Sequence, residues 1–315
     1  MTGKKRSPPP GEWMEAQEFL HWLVPSCVFV MMVCIGLDVT PVRFINLTRA
    51  PQPLLLGVLG QLLIGPACGF FVAFLFQAHP EISLGIILLV AAPGGPVANA
   101  IVYVFKGFPE VSVALTAING IISLAATPLI ANLGFRLLAN ENVDIHLPIG
   151  NTMKHIFIMV VSPIFIGMAL RRLVQKVDSV SRWARRISLV MLTAIFGILL
   201  FTTWDRIVAL WWSMLPAAAL LCLLILLSTF FAVRIARLGE TMAFTIATEV
   251  SIHNVPVALL MAEIILGQPQ LSGFVLVYVP VIALMIATWG LLRNRSRRTE
   301  RRLCLCWPTG RQNRR

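Results

Sequence analysis

Little in this sequence is charged. Asp, Glu, Lys and Arg make up 13% of its 315 residues, about half the ~25% usual in a soluble domain. Hydrophobic residues make up 57%, and the mean hydropathy is +0.82. Water cannot solvate such a surface, so a lipid bilayer must. Acids are the rarer charges, 14 against 26 Lys plus Arg. In a soluble protein a net charge of +12 would suggest nucleic acid. Here the basic residues lie between apolar runs and in the C-terminal stretch, which fits orientation signals at an anionic leaflet. No nucleic-acid partner is expected, and no obligate protein partner is evident.

Catalytic signatures are also missing. No His-Glu-x-x-His cluster appears, and no nucleophile–base pair is visible along the chain. No enzyme, no resident cofactor and no metal site beyond a coupling cation are expected. The six cysteines form no framework. Cys27, Cys34, Cys68 and Cys222 lie in apolar runs and read as small buried hydrophobes. Cys304 and Cys306, beside Trp307, lack a third ligand for a metal and leave lipidation as the other option. Lys4, Lys5 and Arg6 precede a long apolar run without a small-residue cleavage site, so insertion rather than secretion is expected.

What is present is a series of apolar runs. A spanning helix needs about 20 residues, and nine runs qualify: 19–38, 53–77, 81–105, 109–135, 148–170, 187–204, 207–233, 241–265 and 271–292. Pro41, Pro51, Pro53, Pro80, Pro109, Pro148 and Pro269 mark their ends, where a missing N–H costs least. The expected fold is all-α and polytopic. With the N-terminus outside, most Lys and Arg fall on the inner side; Lys4, Lys5, Arg6, Arg136, Lys154 and Arg206 do not. The positive-inside rule therefore puts the C-terminus in the cytoplasm of a plasma or inner membrane. An odd count suits two inverted five-helix repeats from which the first helix is missing. The third and eighth runs would then be equivalent.

Both of those runs are interrupted. The third holds Pro93-Gly94-Gly95-Pro96-Val97-Ala98-Asn99 at mid-span, and two prolines with two glycines cannot continue a helix. The eighth reads Thr245-Ile246-Ala247-Thr248-Glu249-Val250-Ser251-Ile252-His253-Asn254-Val255-Pro256. A carboxylate at mid-bilayer costs roughly 3 kcal/mol or more, so Glu249 needs a reason to be there. Broken segments in matching positions of two halves mark a transporter's binding site. A broken helix exposes carbonyls at one half-helix end and N–H groups at the other. Together with amide and hydroxyl oxygens and one carboxylate, they suit a hard monovalent cation. Ser112 and Thr116 share one face of the fourth helix, with Asn119 a turn further on. Gln61 in the second run is a lone polar group five residues before Pro66.

These residues resemble the bile acid:sodium symporter family over roughly residues 30–290. The likeness rests on Gly36-Leu37, Gln61 with Pro66, Pro93-Gly94-Gly95 with Asn99, and Glu249-Val250 with Asn254. It implies the family's nine-helix form, residues 19–292, with an N-terminal tail at 1–18 and a basic cytoplasmic tail at 293–315. A panel domain (19–38, 148–170 and 187–204) would face a core domain (53–135 and 207–292), with the broken helices crossing in the core. The resemblance also implies two sodium sets. Asn99, Ser112, Thr116 and Glu249 match the first, but a serine is replaced by Ala98. Gln61, Glu249, Val250 and Ile252 match the second, but a glutamine is replaced by His253. One sodium is therefore expected more than two. Substrate is expected at Asn99, Asn254, Asn119, Gly94 and Gly95.

The function expected is sodium-coupled symport of a small organic anion by alternating access. The same fold coupled to protons through His253 and Glu249, or uncoupled, is the alternative. An arsenite exporter is disfavoured because no cysteine lies near the third-run break. A non-transport scaffold is the remaining class.

Overall fold

A computed structural model describes residues 10–39, 51–138, 146–173 and 177–306. The described residues are helical with no strands beyond one isolated bridge. In chain order the helices are α1 (Pro10–Asp38), α2 (Pro51–Leu75), α3 (Pro80–Ala91), α4 (Val97–Val104), α5 (Pro109–Leu138) and α6 (Ile149–Leu173). They continue with α7 (Val177–Ala209), α8 (Trp211–Ile235), α9 (Glu240–Ser251), α10 (Val255–Ile265) and α11 (Ser272–Cys306). Six described stretches are long and apolar enough to cross a membrane, including Pro51–Leu75, Pro109–Leu138 and Trp211–Ile235. The chain is an integral membrane protein. Pro51, Pro80 and Pro109 open α2, α3 and α5, where the missing N–H has no intrahelical acceptor to serve.

Three helices outrun their apolar runs. α1 starts at Pro10 rather than at 19; α7 takes in Arg182, Arg185 and Arg186, expected in a loop; α11 continues through Arg293 to Cys306. Hydropathy marks only the part of a helix that lies in lipid, while its backbone bonds continue into polar flanks. The side chains of Cys304 and Cys306 lie outside the described residues.

Two prolines leave marks that hydropathy does not foresee. A π-turn spans Gly60–Ile64 just before Pro66, with Gly65 N donating to Gly60 O. Another spans Phe157–Val161 before Pro163, where Ser162 N donates to Phe157 O. A proline ring clashes with the carbonyl one turn back; widening that turn relieves it without ending the helix. The first of these turns carries Gln61.

α1 packs between α6 and α7. It meets α6 at a glycine pair: a Cβ on either Gly36 or Gly167 would lie 2.9 Å from the other's Cα. With little hydrophobic force between helices in lipid, such backbone approach supplies the packing. The Arg171 guanidinium donates to Leu37 O and caps the end of α1. The remaining helices gather around the α3–α4 and α9–α10 breaks, with α8 against α9 and α11 against α3 and α8. Arg293 does not face solvent; it is 4% exposed. Its Nη2 donates to Phe105 O (2.6 Å) and Lys106 O (3.2 Å) at the end of α4, and its Cζ lies 4.0 Å above the Phe244 ring of α9.

Candidate functional site

The two interruptions fall where expected and complete one another. α3 ends at Ala91 and α4 starts at Val97; α9 ends at Ser251 and α10 starts at Val255. Between them Gly94 and His253 form an antiparallel bridge. Gly95 N donates to Ile252 O and Asn254 N to Pro93 O, both at 2.7 Å. Backbone freed by one break is thus rebonded by the other, the condition for irregular chain inside a membrane. Gly95 is required by this closeness, since a Cβ there would sit 2.6 Å from His253 O. At Gly94 a Cβ would come 3.1 Å from the Glu249 carboxylate.

Glu249 is fully buried. The hydroxyl of Ser112 donates to one of its carboxylate oxygens and that of Thr116 to the other. The same two hydroxyls approach Asn99 Oδ1, at 2.7 and 3.3 Å. Asn99 stands in the first turn of α4 and Ser112 and Thr116 on one face of α5, so α4, α5 and α9 converge here. The cluster presents one amide, two hydroxyl and two carboxylate oxygens, with only two hydroxyl protons among them. Such a surplus of lone pairs, all on oxygen, fits a small hard cation. Ala98, fully buried beside Asn99, adds no oxygen.

The other expected set is arranged differently. Gln61 Nε2 donates to Ala92 O (3.2 Å) and lies 3.4 Å from His253 Nδ1. Because Ala92 O can only accept, the amide nitrogen faces it, and His253 Nδ1 receives rather than gives. The Ile252 carbonyl is taken up by Gly95 N. Val250 packs against α2, where Gly60 leaves room for it. Gln61 and His253 therefore touch directly.

Asn254 caps α10, its Oδ1 accepting from Val257 N at 3.3 Å. Its Nδ2, His253 Nε2 and Gln61 Oε1 are buried without a partner among the described residues. Asn119 lies a turn beyond Thr116, 3% exposed, with neither amide atom partnered among the described residues. Sequence reading passed over Ser123 and Thr127, although Ser112, Thr116, Ser123 and Thr127 share one helical face. The Thr127 hydroxyl donates to Ala91 O (2.8 Å) and ties α5 to the end of α3. No group of three or more His, Cys, Asp or Glu able to hold a metal occurs among the described residues.

Comparison with known proteins places this geometry in context. Residues 25–210 match the Sodium Bile acid symporter family. The chain is 31% identical to an uncharacterized sodium-dependent transporter, YocS, of Bacillus subtilis over 47% of this chain and 44% of that protein. It is 32% identical to the probable sodium/metabolite cotransporter BASS2, chloroplastic, of Oryza sativa, over 36% of this chain and 26% of that one. It is 25% identical to the ileal sodium/bile acid cotransporter of Oryctolagus cuniculus, over 58% and 53%. These matches span about half, or less, of the relatives' lengths. Glu249, His253 and Asn254 lie beyond the family match, and the structure joins them to residues within it.

Proposed function

The chain belongs to the Sodium Bile acid symporter family, and from that premise we propose that it is a secondary active carrier coupling sodium to the movement of a small organic anion. The observation that carries this reading is the five-oxygen cluster of Asn99, Ser112, Thr116 and Glu249. Sodium enters there, attracted by the Glu249 carboxylate, and the two hydroxyls turn their lone pairs to it. Glu249 and Asn99 lie beside opposite breaks, so the ion draws the two broken helices together. The anion then binds next to the crossing, at Asn254 and Asn99 and along the backbone of Gly94 and Gly95, near the N-termini of α4 and α10.

In this reading α3–α4 and α9–α10 are the broken helices of two inverted repeats, and nine passes cross the bilayer. α1, α6 and α7 form the panel; the other helices form the core, which moves against it. The N-terminus is outside and the C-terminus cytoplasmic. The Gln61–His253 contact occupies the place where the second family set would converge, so one sodium is taken by the family's ligands. The test is a stabilisation screen of organic anions on purified chain, with and without sodium, followed by uptake of the hits into proteoliposomes. Sodium-dependent stabilisation and uptake that Glu249→Gln abolishes are expected; anion uptake indifferent to sodium and to that variant would sink the reading.

A second reading, coupling to protons, draws on the same contact, because His253 and Glu249 are both titratable and both buried at the crossing. Uptake driven by a proton gradient without sodium between ~pH 5.5 and 8, and lost in His253→Gln, would favour it.

A further inference from the structure

We propose that the crevice between Gln61, Asn119, Ser123 and Thr127 binds a second small monovalent cation, at a position separate from the oxygen cluster of Glu249. The crevice is walled by α2, the end of α3 and α5, and its lining includes Ala91, Ala92 and Pro93. It has room for about one water-sized sphere.

The polar side chains lining it keep bonding capacity after their local bonds have been made. The Ser123 hydroxyl proton goes to Gly120 O (2.6 Å) and that of Thr127 to Ala91 O (2.8 Å). Both side chains therefore offer lone pairs alone. Gln61 spends its amide nitrogen on Ala92 O and His253, leaving Oε1 buried and unpartnered among the described residues. Asn119 adds Oδ1 and Nδ2, likewise unpartnered. Four side-chain oxygens thus have lone pairs to give, and Asn119 Nδ2 is the lone donor. A water has protons for two of these oxygens; a cation needs no protons and can accept from all four.

Position adds to the count. The carbonyl end of α3, the negative end of its dipole, terminates at this wall. The donor set is oxygen alone, the preference of hard alkali cations rather than of soft metals. None of the lining residues is acidic, and Glu249 lies past Thr116, the next turn of α5. Occupation here is accordingly weaker than at Glu249, and weaker again once that carboxylate is neutralised. Two classes of sodium affinity follow.

The experiment is binding of radioactive sodium to the purified full chain in detergent, read as ions bound per chain. Wild type is expected to bind two sodium ions with unequal affinity. Asn119→Leu, which fills the space and removes the oxygen, is expected to bind one, with the tighter class retained. Asn119→Asp restores the second and tightens it. If the leucine variant does not yield folded protein, Ser123→Ala carries the test and weakens the second class by at least about tenfold. One sodium in wild type, or two in Asn119→Leu, overturns the proposal; either is what a crevice holding only water would give. Loss of the crevice class alone, with Glu249→Gln leaving sodium binding unchanged, would support this site and defeat the sodium reading of Glu249.

Discussion

Glycine serves both the packing of α1 on α6 and the crossing of the broken helices, with opposite results. At Gly36 and Gly167 it lets two continuous helices touch, and Arg171 caps the end of α1. At Gly94 and Gly95 it lets two interrupted chains meet, and around them Gln61, Asn119, His253 and Asn254 keep polar atoms without partners among the described residues. The same small residue thus completes one interface and leaves the other unfinished. Buried polar groups without partners are expensive, and a fold that keeps several in one place keeps them for something that arrives.

The largest effect should come from Gly95→Ala. Its methyl meets a backbone carbonyl that cannot move aside, so the crossing fails and both sodium binding and transport are lost. Gly36→Ala is the contrast. The methyl there would also meet backbone, at Ile164 O, so the melting temperature should fall at least as far as in Gly95→Ala, while the protein that does fold retains its sodium affinity. Equal loss of binding in both variants would erase the distinction between the two regions.

Glu249→Gln comes next. Sodium binding should weaken by about 100-fold or more, while melting in the absence of sodium stays level or rises. The rise is expected because an unpaired mid-membrane carboxylate costs roughly 3 kcal/mol. A marked fall in melting with sodium affinity intact would make the carboxylate structural.

Arg293→Met should cost about 1–3 kcal/mol by leaving the carbonyls of Phe105 and Lys106 unbonded, without changing the ratio of the sodium affinities. The smallest effect is expected of Thr127→Val, about 1 kcal/mol for the bond to Ala91 O; the same variant should also weaken the crevice cation. If it lowers stability and leaves sodium untouched, Thr127 only ties helices.

Much of this was legible along the chain. The helical membrane class, both interruptions and the isolation of Glu249 follow from hydropathy, proline, glycine and one misplaced charge; the family follows from the likeness of four local residue patterns. The likeness also grouped Asn99, Ser112 and Thr116 with Glu249, and the structure brings those four together. The same likeness grouped Gln61 with Glu249, Val250, Ile252 and the position of His253; the structure brings Gln61 to His253 and to Ala92 O. Arg293, by sequence the first residue of the basic tail, is buried on Phe244 and the end of α4. The π-turn that carries Gln61 was not foreseen, although Pro66 was its visible cause.

By itself the sequence determined where chain must be helical, where it cannot be, and which residues are too polar for lipid. Those outcomes depend on a residue and its near neighbours: a proline lacks its N–H in any fold, and a carboxylate resists hydrocarbon wherever it is. The tertiary structure alone decided which leftovers meet. Gln61 and His253 are 192 positions apart and Thr116 and Glu249 are 133 apart, and only packing sets such distances. It also decided which protons are already spent on carbonyls, and hence that Ser123, Thr127 and Gln61, which line one crevice, keep oxygen lone pairs unused.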